Sequence, residues 1–223
     1  MPVRAVLFDI DGTLVDSNDM HVRAWMEAFE TVGATFDAEA IHSQIGKGTD
    51  MLVPHFLPDA DEALQEKLGM AHGDVFKARY LHQVRPFPGA HDLLARTHAA
   101  GKAVVLASSA SAAELEHYVD LLDVAAFVSE TTSADDVENT KPAPDIFAVA
   151  LKKIAPIAPE DVLVLGDTPY DVEAAAKCGI RAVALRSGKF ADDLLRDAGA
   201  VALYDDVAAL VRDYDRSPLG EEA

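Results

Sequence analysis

The sequence predicts a doubly wound α/β core that an all-helical insertion interrupts after the first strand. Residues 3–8 form a short apolar run containing two valines, which is typical of a buried strand. From Gly89 onward, apolar runs alternate with segments of helical period, which indicates a parallel sheet with helices on both faces. Between Asp16 and Val84 no strand-like alternation occurs, so this region is predicted to be helical.

The helical insertion begins at Ser17, whose side chain is expected to cap a first helix that ends near Gly33. Four apolar residues of that helix recur at helical spacing and form one face: Val22, Trp25, Met26 and Phe29. Further helices are predicted at 38–45, 49–57 and 60–80. Residues 85–89 hold two prolines and a glycine, so they are expected to form a linker or hinge.

The elements after the linker follow in order along the chain. Strands are predicted at 103–107, near 127–128, and at 162–165, 182–185 and 200–203. Helices are predicted before Gly101 and at 111–122, 144–154, 171–178, 190–198 and 206–213. The tail from Ser217 contains proline and glycine among polar residues, and it is expected to be frayed.

Composition and charge narrow the function classes. The 223 residues are 50% hydrophobic and 26% charged, which is ordinary for a globular protein with a large core and a small second domain. The cytoplasm is the expected location, because no apolar stretch approaches the ~20 residues of a membrane helix, no signal peptide is recognised, and Cys178 is the single cysteine. The net charge of −19 disfavours nucleic acid and membranes as partners, and an anionic ligand would need local cations.

Two carboxylates follow the first strand directly, in Asp9-Ile10-Asp11-Gly12-Thr13. In an open parallel sheet, ligands bind at the carboxyl ends of the strands. An unpaired buried carboxylate is costly, so this pair indicates a metal, a proton or a phosphate group at that edge. An ordinary surface turn is the alternative, because Asp-Gly is a common turn dipeptide.

Three later segments also place chemically active side chains around predicted strand ends. Ser108 and Ser109 end one strand, Lys141 lies in a proline-stiffened loop, and Asp167 and Asp171 follow another strand. Each alone has a structural explanation, such as a helix cap or a solvated lysine. In this order, the four segments resemble the motifs of the haloacid dehalogenase superfamily: Asp-x-Asp-Gly-Thr, Ser, Lys and Gly-Asp-x-x-x-Asp.

The resemblance implies a Rossmann-like core with a small helical cap domain. The core would comprise residues 1–15 and 86–223, and the cap residues 16–85. It also implies a phosphatase that hydrolyses a small phosphorylated metabolite through an aspartyl-phosphate intermediate. In that chemistry Asp9 is the nucleophile, and Asp11 is the general acid and base.

The remaining site residues are assigned by the same resemblance. Ser108 and Lys141 would act on the phosphate, with Ser109 beside them, and Gly12 and Thr13 would line the turn with their backbone N–H groups toward it. Mg²⁺ would be held by Asp9, the backbone carbonyl of Asp11 and Asp167. Asp171 would be a ligand through water or a partner of the ligands, and an N-cap of the following helix is its structural alternative.

Two residues of the cap are predicted to contact the substrate. Lys47 lies between two glycines in the loop 45–49, and His21 lies on the first cap helix. A solvated lysine and an ordinary polar helix residue are the respective alternatives, and core packing is the alternative for Trp25. The oligomeric state, monomer or homodimer, stays open.

The choice among relatives rests on a few positions. Asp11 argues against the dehalogenases and the phosphonoacetaldehyde hydrolases, which lack an acid there. β-Phosphoglucomutases are closer, since residues 16–25 are similar to the start of their cap. However, residues 45–49 lack the mutase arginine, and Gly-Asp-x-x-x-Asp is the phosphatase pattern. We expect a phosphatase resembling the phosphoglycolate phosphatases, with a mutase as the alternative and a non-catalytic binding protein as the weaker one.

Overall fold

The computed structural model describes residues 3–220. The strands are β1 (Ala5–Phe8), β2 (Val15–Asp16), β3 (Arg85–Pro86), β4 (Ala103–Ala107), β5 (Glu130–Thr132), β6 (Val162–Gly166), β7 (Arg181–Leu185) and β8 (Ala202–Tyr204). The helices are α1 (Asn18–Glu30), α2 (Ala38–His42), α3 (Thr49–Phe56), α4 (Glu62–Val75), α5 (Ala90–Ala99), α6 (Ala112–Leu122), α7 (Asp145–Lys153), α8 (Pro169–Lys177), α9 (Asp192–Asp197) and α10 (Val207–Arg212).

Six strands within residues 3–220 form one parallel sheet in the order β5-β4-β1-β6-β7-β8. β1 lies at its centre, with Phe8 opposite Leu106 of β4 and Leu165 of β6. Successive strand residues point to opposite faces, so Val6 and Phe8 join one apolar cluster and Leu7 joins the other. α5, α6 and α10 cover the first face, and α7, α8 and α9 cover the second. The predicted doubly wound α/β class is confirmed.

The segment between β2 and β3 contains α1 to α4 and has an apolar cluster of its own. Its fully buried residues include Phe29, Ile41, Leu52 and Leu68. β2 and β3 pair as a short antiparallel ribbon, with Val15 opposite Pro86, so the two connections to the core run side by side. We call residues 18–83 the helical insertion.

Two local predictions are wrong for identifiable reasons. The fifth strand is 130–132 and not 127–128, because Phe127 turns back onto Val124 and packs its ring against His91. The tail is not frayed at its start, because Leu219 is fully buried and Gly220 N donates to Ser217 O. None of the helices within 3–220 is long and apolar enough to cross a membrane.

Candidate active site

The candidate active site lies where the three central strands of the sheet end. β1 leads directly into Asp9, β4 into Ser108 and β6 into Asp167, and β1 is paired with both neighbours. The parallel sheet therefore brings three separated sequence segments to one carboxyl edge. All three side chains are buried, with Asp9 the most exposed at 6%.

A buried acidic cluster forms the floor of this site. The candidate ligand atoms of Asp9, Asp167 and Asp171 all lie within 4.8 Å of one another. Lys141, whose side chain is 1% exposed, has its Nζ 2.5 Å from Asp9 Oδ1 and 2.7 Å from Asp171 Oδ1. Three carboxyl groups therefore share one ammonium in a place shielded from water. Such a site favours a divalent cation with a preference for oxygen ligands.

The acidity of these groups reflects the same shortage of positive charge. Burial raises the pKa of Asp9 to about 7, although the Lys141 ammonium acts in the opposite direction. Burial, followed by the charges of Asp9 and Asp171, raises the pKa of Asp167 well above its ordinary value. A bound cation would favour the ionised form of both carboxyls.

Asp167 is held on both of its carboxylate oxygens. The Thr13 hydroxyl lies 2.9 Å from Oδ1, and Asn18 Nδ2 donates to Oδ2 over 2.8 Å. A Cβ at Gly12 would lie 2.1 Å from Oδ2, and one at Gly188 would lie 2.4 Å from it. Glycine is required at both positions for this close approach, and Gly12 also has a φ of +77°.

The turn after β1 differs from the sequence-based expectation. Gly12 N–H donates to Val15 O over 2.9 Å, and Thr13 N–H donates to Ile10 O over 3.1 Å. Neither group is directed at a phosphate position, because the tight turn uses both. The Thr13 hydroxyl instead lies 3.0 Å from Asp9 Oδ2, so the turn supports the carboxylates.

Asp171 lies in the first turn of α8 and is not its N-cap. Thr168 is the N-cap, and its Oγ1 donates to Asp171 Oδ2 over 2.7 Å. The helix begins at Pro169, two residues earlier than predicted, because Thr168 and Asp171 form a reciprocal capping box. The other oxygen of Asp171 contacts Lys141, so this side chain joins the helix end to the acidic cluster.

Asp11 accepts its hydrogen bonds, among the described residues, on one oxygen only. Oδ1 accepts from Ser17 Oγ at 2.7 Å, from His21 Nε2 at 3.1 Å and from Tyr118 OH at 2.8 Å. Burial opposes ionisation, but these three hydrogen bonds hold the pKa of Asp11 below its ordinary value. The Ser17 side chain does not cap α1 as predicted, because it is directed to Asp11.

His21 connects Asp11 to a second histidine that the sequence did not indicate. Its Nδ1 lies 3.2 Å from His72 Nε2, and its ring stacks on Phe76 with centroids 3.9 Å apart. His72 stacks in turn on Trp25 at 4.2 Å, and burial holds the pKa of His72 well below its ordinary value. Trp25 is 3% exposed, so it packs in the insertion and also borders the site.

The two serines after β4 border the same site. Ser108 Oγ accepts from Ala110 N–H over 3.0 Å, which leaves its hydroxyl proton available to a ligand. Ser109 Oγ lies 3.4 Å from Gly46 O in the insertion loop 45–49. Ser109 therefore contacts the insertion as well as the site.

Lys47 borders the site, and its ammonium contacts Gln44 and Tyr170. Nζ donates to Gln44 Oε1 over 2.5 Å and lies 4.4 Å from the centre of the Tyr170 ring. Burial lowers the pKa of Lys47. The neighbouring loop is fixed to the core, because Gly48 N–H donates to Thr140 Oγ1 over 2.8 Å, next to Lys141.

A cavity of about 260 Å³ separates the core edge from the insertion. Its core wall includes Asp9, Asp11, Ser108 and Ser109, and its insertion wall includes His21, Trp25, Lys47, His72 and Lys77. A ligand in this cavity would contact both parts of the chain.

Comparison with known proteins identifies the family. The family model described as haloacid dehalogenase-like hydrolase matches residues 6–185. The chain belongs to this family. The prediction made from the four motifs is thereby confirmed, and the chain is a hydrolase of the haloacid dehalogenase-like class.

Several curated relatives match along most of the chain. The phosphorylated carbohydrates phosphatase of Thermotoga maritima is 30% identical over 216 residues, which cover 90% of this chain and 94% of that protein. The phosphoglycolate phosphatase of Salmonella paratyphi A is 27% identical over 208 residues, covering 83% and 82%. The SUPPRESSOR OF QUENCHING 1 protein of Arabidopsis thaliana is 29% identical over 217 residues, and the match spans 92% of this chain and 20% of that protein.

Solved structures agree with the fold. A hydrolase from Pseudomonas syringae has a TM-score of 0.88 at 29% identity, covering 95% of this chain and 98% of that one. A putative β-phosphoglucomutase from Bacteroides vulgatus has a TM-score of 0.87 at 23% identity, covering 96% and 88%. The second likeness is one of fold alone.

Proposed function

We propose that this hydrolase is a magnesium-dependent phosphatase of small phosphorylated metabolites and that Asp9 becomes phosphorylated in its reaction. The observation that carries the proposal is the buried cluster of Asp9, Asp167 and Asp171 with Lys141 in contact with it. Asp11 borders the same cavity. The names of the Thermotoga maritima and Salmonella paratyphi A relatives, both phosphatases, support the same reaction class.

The residues present fit a magnesium ion. Asp9 and Asp167 offer buried carboxylate oxygens, and the backbone carbonyl of Asp11 follows in the same turn. Asp171 would help to orient these ligands, since it is hydrogen-bonded to Thr168 and forms an ion pair with Lys141. When bound, the metal would supply positive charge to the phosphoryl oxygens and orient them.

The chain's own residues would carry out the remaining steps. A carboxylate oxygen of Asp9 attacks phosphorus, and the bond to the leaving oxygen breaks while Lys141 and the Ser108 hydroxyl bind phosphoryl oxygens. Asp11, in its protonated form, donates its proton to the leaving oxygen. Asp11 then takes a proton from water, which attacks the phosphorylated Asp9 and releases phosphate.

We further propose that residues 16–85 act as a cap domain over the core formed by 1–15 and 86–223. The cavity between core and insertion, about 260 Å³, is suited to a small substrate. His21 and Lys47 border it and remain our candidates for substrate contacts from the cap. We propose a cytoplasmic location for the enzyme, in keeping with the free thiol of Cys178.

Hydrolysis of p-nitrophenyl phosphate and of a panel of phosphorylated metabolites, with and without Mg²⁺, tests the proposal. Phosphate release that requires Mg²⁺ and is abolished by Asp9→Asn would support it. Asp59→Asn, at an exposed position of the insertion, is the matched control and should leave the rate unchanged. Absence of turnover on every ester would favour a binding protein.

The mutase alternative needs a separate measurement. β-Glucose 1-phosphate with a trace of the bisphosphate should yield inorganic phosphate or no reaction. Rapid appearance of glucose 6-phosphate would overturn the phosphatase assignment, because phosphorylated Asp9 would then pass its phosphoryl group to a sugar hydroxyl and not to water.

A further inference from the structure

We propose that Tyr118 is a positioning residue for Asp11, which it holds so that Oδ2 is the oxygen that exchanges the proton with substrate and water. This inference rests on the proposed acid–base function of Asp11. The geometry that supports it is the 2.8 Å hydrogen bond from the Tyr118 hydroxyl to Asp11 Oδ1.

Tyr118 has no direct access to a substrate. Its side chain is fully buried in the core cluster on the face of the sheet that α5, α6 and α10 cover. Its contact with the site is the hydrogen bond from its hydroxyl to Asp11 Oδ1. Tyr118 can therefore affect the reaction only through Asp11 or through the packing of the core.

The three donors around Asp11 Oδ1 leave the other oxygen for the reaction. Oδ1 accepts from Ser17, His21 and Tyr118, which occupies the directions in which a carboxylate oxygen accepts hydrogen bonds. Asp11 nevertheless borders the cavity, with its side chain 18% exposed. Oδ2 is the oxygen placed to carry the transferable proton.

Tyr118 lies in a different part of the fold from the other two donors to Asp11. Ser17 precedes α1, and His21 lies within it, so both belong to the chain that enters the helical insertion. Tyr118 lies on α6, which packs against the sheet of the core. Movement of the insertion could displace Ser17 and His21, whereas Tyr118 would keep Asp11 oriented.

A positioning role of Tyr118 can be distinguished from a general structural role by comparing esters whose leaving groups differ in their need for a proton. In the first step, the proton on Asp11 Oδ2 passes to the leaving oxygen as its bond to phosphorus breaks and the bond from Asp9 to phosphorus forms. An alkoxide is a poor leaving group that needs this proton, whereas nitrophenolate is a stable anion that leaves without it. Misplacement of Asp11 should therefore slow alkyl esters selectively.

The experiment compares Tyr118→Phe with wild type on glycerol phosphate and on p-nitrophenyl phosphate, both with Mg²⁺. We expect kcat/KM for glycerol phosphate to fall about ten-fold, and kcat/KM for p-nitrophenyl phosphate to fall about two-fold or less. Tyr214→Phe is the matched control: Tyr214 is buried in the same cluster, and its hydroxyl contacts Thr97. It should leave the ratio of the two rates unchanged.

A second comparison uses the Asp11→Asn background and the residual rate on glycerol phosphate. If Tyr118 acts through Asp11, Tyr118→Phe should cause no further loss there. Equal losses on both esters in the wild-type background, or an undiminished loss in the Asp11→Asn background, would overturn the role of Tyr118 while leaving the phosphatase intact. A wild-type protein that hydrolyses neither of these esters nor any ester of the metabolite panel would contradict the proposed function itself.

Discussion

Replacing Lys141 by methionine tests whether its positive charge stabilises the buried acidic cluster. The ammonium is 2.5 Å from Asp9 Oδ1 and 2.7 Å from Asp171 Oδ1, and the side chain is 1% exposed. Methionine keeps an unbranched side chain, but it removes the charge. The variant therefore leaves three buried carboxylates without their cation.

The expected destabilisation can be worked out from this geometry. Removing one partner of a buried ion pair typically costs about 3–5 kcal/mol. The cost should lie near the lower end, about 3 kcal/mol, because Asp9 already has a pKa of about 7 and can take up a proton. For a chain of this length, that corresponds to a loss of about 6–12 °C in Tm.

The assay is thermal unfolding at pH 7, first in a chelator and then in Mg²⁺, together with the rate on p-nitrophenyl phosphate. The difference in Tm should narrow in Mg²⁺, because the metal supplies positive charge to the same carboxylates. The rate should fall by about 100-fold or more, since a charge that stabilises the transferring phosphoryl group is lost. Lys67→Met, on an exposed position of α4, is the control and should change neither quantity.

Two results would contradict this role of Lys141. A Lys141→Met variant that melts within about 1 °C of wild type in chelator would mean that the cluster is not short of positive charge. Retention of most of the rate would mean that the ammonium does not act on the phosphate.

The remaining predictions concern the metal and the insertion loop. Activity, measured as initial rates, should vanish in excess chelator and return with Mg²⁺. Ca²⁺ should inhibit, because its coordination shell is larger and looser than that of Mg²⁺. Full activity in chelator would contradict the metal site. Asp50→Ala should lower kcat/KM for the best metabolite about five-fold, because Asp50 accepts a hydrogen bond from Thr140 N–H over 2.9 Å and so holds the insertion loop to the core. An unchanged kcat/KM would show that this contact is dispensable. Lys47→Ala should lower kcat/KM for that metabolite about ten-fold and that for p-nitrophenyl phosphate much less, since the small ester lacks contacts with the insertion; equal losses would indicate an effect on folding or closure.

The positions of the strand ends were predictable because two physical signals coincide there. Apolar runs mark buried strands, and carboxylates or hydroxyls immediately after them are unexpected unless they have a task. Asp9, Ser108 and Asp167 could be located in this way, and parallel pairing then brings them to one edge. Lys141 could be assigned only by resemblance, since a loop lysine has no local feature that predicts burial.

Other parts of the site depend on tertiary contacts that leave no local pattern. From the sequence alone, Tyr118 is an ordinary core aromatic of α6 and His72 is an ordinary polar residue of α4. Only the fold shows that Tyr118 contacts Asp11 and that His72 contacts His21. Ser17 has the residue type of an N-cap, but a nearby carboxylate competes successfully for its hydroxyl. Phe127 and Val128 are apolar for packing and not for pairing, so their β-propensity was misleading.

Mass spectrometry of the protein, acid-quenched within milliseconds of mixing with substrate and Mg²⁺, tests whether Asp9 is the nucleophile. The peptide containing Asp9 should gain the mass of one phosphoryl group, and this gain should disappear as the substrate is exhausted. Asp9→Asn should show no gain, and the Asp59→Asn control should behave as wild type. Turnover with an unmodified Asp9 peptide at every quench time, or a phosphoryl group on another residue, would contradict the claim that Asp9 is the nucleophile.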